Sequence, residues 1–117
     1  MVTAAFMSQK ALSFPGTSES PHFEKTSFRV KNKIFATYDA SKNQACLKLS
    51  EVEQDVFSRA DPSVYPVPNK WGKQGWTFID LEKVEPDLFM DALTSAYCQV
   101  APKDLSEPYR AGNNSDF

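Results

Sequence analysis

The stretch Thr26-Ser27-Phe28-Arg29-Val30-Lys31-Asn32-Lys33-Ile34-Phe35-Ala36-Thr37-Tyr38 decides the fold. Its first five residues alternate: Phe28 and Val30 fall on one face and Arg29 on the other, the period of a half-buried strand. Lys31-Asn32-Lys33 reads as a tight turn. Ile34 to Tyr38 is β-branched and aromatic, with apolar residues in both phases, so the pattern leaves its register open. Asp39 to Asn43 is a second polar turn. Beyond it Ala45, Leu47 and Leu49 alternate with Cys46 and Lys48. Three strands joined by short turns form an antiparallel meander, with one apolar face and one face carrying Arg29 and Lys48.

Downstream of the meander, Ser50-Glu51-Val52-Glu53 is a capping box, with Ser50 as N-cap and Glu53 at N3. Val52, Val56, Phe57 and Ala60 share one stripe of the helix that follows, which Asp61-Pro62 ends. Residues 61–75 hold Pro62, Pro66 and Pro68 and read as a loop. Trp76 to Leu81 is a strand with Trp76 and Phe78 on one side. Pro86 opens a last helix, in the first-turn position that proline suits, with Phe89, Leu93, Ala96 and Val100 as its buried stripe and Pro102 at its end. Upstream, Val2 to Ser13 carries Ala5, Phe6 and Leu12 at helical spacing and stops at Phe14-Pro15-Gly16. Thr17 to Pro21 reads as a polar connection.

The order is therefore α-β-β-β-α-β-α, an α+β two-layer sandwich with an antiparallel sheet and helices on one face. Phe28, Val30, Leu47, Leu49, Val56, Phe57, Phe78, Phe89 and Leu93 are expected to share one core. Residues 1–105 form one domain on this reading, and 106–117 a loose polar tail.

Composition narrows the chemistry. The 117 residues include one histidine (His22), two cysteines (Cys46 and Cys98) and four glycines. A zinc site built on two histidines is excluded within one chain, and no CxxC pair is present. No glycine run matches a phosphate-cradling loop or a nucleophile elbow. No apolar run approaches the ~20 residues that cross a bilayer, and the first residues do not resemble a secretory signal. A cytoplasmic, reduced monomer, away from the membrane and without a cofactor, is the expectation.

The net charge of −2 conceals an asymmetry. Residues 25–48 hold six basic side chains against one acid, whereas residues 49–117 hold six against twelve. A basic block inside an acidic chain is either a polyanion footprint or a set of solvated edge lysines.

Several short pieces, taken in order, resemble one family. They are Ala11-Leu12-Ser13-Phe14-Pro15-Gly16-Thr17, Phe28-Arg29-Val30, Lys33-Ile34-Phe35-Ala36, Leu47-Lys48-Leu49, Tyr65-Pro66-Val67-Pro68, Trp71-Gly72, Gly75-Trp76 and Val100-Ala101-Pro102-Lys103. Together they resemble the MmcQ/YjbR-like family of small bacterial proteins over roughly residues 11–103. The resemblance implies a frataxin-like fold and DNA binding. It supplies no catalytic residues. The iron binding that a frataxin-like fold invites would need an acidic ridge on the first helix, and residues 1–18 contain no Asp or Glu.

Two candidate sites follow. The first is the basic hairpin, with Arg29, Lys31, Lys33 and Lys48; a two-stranded ribbon with long cations fits a DNA major groove. The second is the loop Asn69-Lys70-Trp71-Gly72-Lys73-Gln74-Gly75-Trp76, where Lys70, Trp71 and Lys73 could stack bases and hold phosphates. The competing reading makes Trp71 and Trp76 anchoring aromatics and the glycines turn formers. His22 paired with Cys46 would be the thiolate route to an enzyme, but no spacing brings them together. The expected function is non-catalytic binding, with DNA as the partner. A protein- or small-ligand-binding module at the Trp71 loop is the alternative, and an enzyme comes third.

Overall fold

A computed structural model of the chain describes residues 1–110. The meander lies where the alternation puts it, as β2 (Lys25–Val30), β3 (Lys33–Asp39) and β4 (Gln44–Lys48). Only Lys31 and Asn32 join β2 to β3, both with positive φ, 51° and 66°. That is the backbone a two-residue hairpin loop requires to match the strands' twist. The ambiguous phase of Ile34 to Tyr38 has a physical resolution. Phe28 pairs with Ala36 and Arg29 with Ile34, so Phe35 is an extra residue at a bulge. Phe35 and Ala36 are therefore both buried, because a bulge lets consecutive residues face inward.

The sheet has six strands in the order β1-β2-β3-β4-β6-β5, with β1 at Thr17–His22, β5 at Val64–Pro66 and β6 at Trp76–Asp80. Every pairing is antiparallel. Thr17 to Pro21, read above as a connection, is thus an edge strand paired with β2. It lacks apolar alternation because little packs against it. Within the segment read as a loop, the chain forms β5 and a short helix α3 (Lys70–Lys73).

One sheet face carries the core. Phe28, Val30, Ala36, Ala45, Leu47, Leu49, Val64 and Ile79 pack with Met7 and Ala11 of α1 (Ala4–Ala11) and with Phe89, Ala92, Leu93, Ala96 and Tyr97 of α4 (Pro86–Val100). Each large side chain buried there contributes about 1.5–3 kcal/mol. The inward pair of α1 is Met7 and Ala11, while Leu12 is exposed.

Three sequence expectations are corrected. Helix α2 (Glu51–Ala60) has Ser50 as its N-cap: Glu53 N–H donates to Ser50 Oγ at 3.1 Å, and Ser50 Oγ in turn donates to Glu53 Oε1 at 3.2 Å, in place of the backbone bond of a full capping box. Its apolar stripe, however, points outward. Val52 and Val56 are 73% and 56% exposed, and Phe57 is partly buried. Gln54 sets this rotation, donating from Nε2 to the carbonyls of Gly72 (3.0 Å) and Trp76 (3.1 Å) and to Thr77 Oγ1 (3.0 Å). A polar side chain holds the inward position because it satisfies backbone acceptors there.

Phe78 leaves the core. Thr77 and Ile79 face the helices, whereas Trp76 and Phe78 lie half-buried on the opposite face. Finally, the tail does not begin at Ser106. Ser106 is buried after α5 (Lys103–Ser106), a 3-10 turn covers Glu107–Tyr109, and Tyr109 packs edge-on against Phe14 and Tyr97 at 5.3 and 5.8 Å. The rest of the expected tail, residues 111–117, lies outside the described residues.

Candidate nucleic-acid interface

Strand register determines where the candidate residues lie. Strand β2 ends at Val30 and β3 begins at Lys33, so Arg29, Lys31 and Lys33 stand at one end of the sheet. Strand β4 ends at Lys48, which faces Trp76 at the start of β6. Strand β5 ends at Pro66, and Val67 N–H donates to the Trp76 carbonyl at 3.1 Å. Helix α3 spans the gap between β5 and β6 at this same end. The hairpin and the aromatic loop, separate in sequence, thus form one rim carrying Arg29, Lys31, Lys33, Lys48, Lys70 and Lys73. The acids nearest this rim in the chain are Glu51 and Glu53, on the first turn of α2. At the other end of the sheet stand Asp39, Asp61, Asp80 and Glu82. Lys25 and Lys42 lie beside Asp39 at that end, so acids and bases are mixed there, whereas the rim's own side chains are cationic.

Lys31, Lys33, Lys70 and Lys73 are exposed, while Arg29 and Lys48 are half-buried on the helix-free face. Arg29 Nε donates to Ser27 Oγ at 3.1 Å, which holds the guanidinium along the sheet. Lys48 Nζ donates to the carbonyl of Gln74 and ties β4 to the loop. Trp71 is 50% exposed, and Lys70 Nζ lies 5.8 Å from the centre of its ring. An open aromatic face beside a cation is the arrangement expected of a recognition residue rather than an anchor.

The loop backbone is pinned. Asn69 Oδ1 accepts from Trp71 N–H at 2.9 Å, capping α3. Gly72 packs so closely that a Cβ there would overlap the carbonyl of Val67. Gly75 has φ +102° and lies against the carbonyl of Leu49, where a Cβ would also overlap. The glycines let the backbone approach its neighbours, and Gln54 supports the loop from beneath. Pro66, Pro68, Lys70, Lys73 and Gln54 line an open depression of about 530 Å3 next to Trp71.

The cysteines and His22 lie apart. His22 pairs with Lys25 at the outer edge, and its ring meets Phe23 in an edge-on contact at 4.8 Å. Cys46 is three strands away, about 14 Å at the usual strand spacing. Burial pushes its thiol up to about 11, and burial also raises Cys98 on α4. Both are neutral thiols at pH 7.

Sequence reasoning missed a third set of residues. Trp76, Phe78 and Tyr65 stand together on the helix-free face, with Tyr65 and Phe78 rings 5.7 Å apart. The available signal was parity. Lys48 must face outward when Leu47 and Leu49 face inward, and Asp80 shares a side with Trp76 and Phe78.

A family model described as YjbR matches residues 12–99. The chain belongs to the YjbR family. Its fold is similar to a crystal structure of the Deinococcus radiodurans protein DR2400, described as a DUF419 domain, with a TM-score of 0.76 and 22% identity over 97% of this chain and 89% of that one. No curated protein matches. The YjbR match includes Arg29, Lys31, Lys33, Lys48 and the whole Trp71 loop. Among the described residues, no helix is long and apolar enough to cross a membrane.

Proposed function

We propose that this YjbR-family chain is a non-catalytic nucleic-acid-binding protein of the cytoplasm, with DNA as its first candidate partner. The observation that carries this reading is the joining of the basic hairpin and the Trp71 loop into one cationic rim. Phosphate contacts require several long cations on a common surface, and Arg29, Lys31, Lys33, Lys48, Lys70 and Lys73 meet that requirement. Because the whole chain is net acidic, affinity is modest and falls steeply with salt.

The test is a salt-series titration against duplex DNA, single-stranded DNA and RNA. Binding at low salt that is abolished by Arg29→Glu with Lys31→Glu, while the fold is retained, supports the rim. Unchanged affinity in that double variant removes it. The depression beside Trp71 favours a second reading, a peptide or small ligand held by the loop. That reading gains if Trp71→Ala alters binding of such a ligand and no nucleic acid binds.

A further inference from the structure

An antiparallel sheet with one face covered by helices ordinarily shows polar side chains on the other. Here the helix-free face carries Trp76, Phe78 and Tyr65 on the neighbouring strands β6 and β5, while Ile34 lies two strands from β6, opposite Arg29. Tyr65 is 40% exposed, and its hydroxyl accepts from Gln44 Nε2 at 2.8 Å, which fixes the ring over the sheet. Cations flank these rings on the rim side. Lys48 is the cross-strand partner of Trp76, and Arg29 lies three strand steps away, about 14 Å. On the far side of the same face stand Asp39 and Asp80, with Lys25 beside Asp39.

Resting on the nucleic-acid reading above, we infer that this helix-free face binds single-stranded nucleic acid, its bases stacked on Trp76, Phe78 and Tyr65 and its phosphates held by Arg29 and Lys48. Two features select a single strand over a duplex. Aromatic rings can stack only on bases whose faces are free, as in an unpaired strand. The β2–β3 hairpin cannot act as a ribbon in the major groove, because β1 stays paired with β2 as far as Val30. Only the two-residue turn projects, and the sheet behind it is far wider than the groove's roughly 12 Å. The face and the rim are continuous through Lys48, so one strand can contact both.

The test compares a twelve-residue thymidine homopolymer with a twelve-base-pair duplex at 50 mM salt. The wild-type chain binds the homopolymer about tenfold more tightly. Tyr65→Ser and Trp76→Ala each lower that affinity about tenfold and leave duplex binding unchanged. Tyr65→Phe and Trp76→Phe keep most of it, which separates stacking from loss of fold. In a Trp71→Phe background, the homopolymer quenches the fluorescence of Trp76. Equal or tighter duplex binding overturns the inference, as do aromatic variants that bind like wild type. If those variants are silent while the Arg29 and Lys31 reversals abolish binding, the face falls and the rim stands. If the wild-type chain binds no nucleic acid at low salt, both fall and the aromatic face is left to a protein partner.

Discussion

Lys48 and Trp76 face each other across β4 and β6, and the lysine reaches past the tryptophan to the carbonyl of Gln74. This pair joins the meander to the aromatic loop. It also places a cation between the hairpin's charges and those of α3. Removing the charge while keeping the aliphatic stem, as in Lys48→Met, is expected to weaken binding to all nucleic acids by a similar factor. The slope of log affinity against log salt should fall by about 1. A salt-series titration of the variant measures both.

Trp71 provides the sharpest separation of stability from recognition. A buried aromatic truncated to alanine loses about 3–5 kcal/mol. With half its surface open, Trp71→Ala is expected to stay within about 1 kcal/mol of the wild type in urea unfolding. Its affinity for single strands should drop.

The glycines beside Trp71 behave oppositely. Gly75→Ala must place a Cβ against the Leu49 carbonyl at φ +102°, and Gly72→Ala must do so against Val67. Each is expected to destabilise by about 2–3 kcal/mol through backbone strain and displacement. Urea denaturation gives the values. Wild-type stability in either variant would contradict the close approach.

Gln54→Leu leaves the carbonyls of Gly72 and Trp76 without their side-chain donor. Both carbonyls keep a backbone donor, Gly75 N–H and Val67 N–H, so each lost side-chain bond costs about 0.5–1.5 kcal/mol. Amide exchange in residues 70–76 should accelerate more than exchange in α4, because the loop loses its support first.

Burial raises the Cys46 thiol to about 11, from an ordinary 9.0. The folded state therefore holds a proton that the unfolded state releases. Stability from this group is complete below pH 9 and is lost as pH rises toward 11. Cys46→Ala is expected to flatten that alkaline limb. Tyr97 and Cys98, also raised by burial, remain in both proteins and do not affect the comparison.

The meander was legible because Phe28, Val30, Leu47 and Leu49 obey a period of two, and the helices because Ser50 and Pro86 mark their starts. Strand β1 was illegible for a physical reason: Thr17 to His22 lies at an edge and needs no apolar alternation. The prolines at 62, 66 and 68 hid the three-residue β5. The rotation of α2 could not be read, because it depends on Gln54 meeting carbonyls about twenty residues away. The two basic segments were each visible, but their union was not. It rests on the pairing of β4 with β6, a long-range contact that no local pattern encodes. Phe78 faces away from the core because Thr77 and Ile79 hold the inward positions of β6, a choice of face that the alternation alone leaves open.

The two-residue turn at Lys31 and Asn32 bears on how this chain could be made sturdier. A lysine in the left-handed region is strained by about 1 kcal/mol relative to glycine. A designer optimising the hairpin alone would write Asn-Gly there. That change would raise the melting temperature and delete a cation from the tip of the rim. Thermostability screening of this protein is therefore expected to select against its ligand binding, with the turn among the first places where the two objectives part.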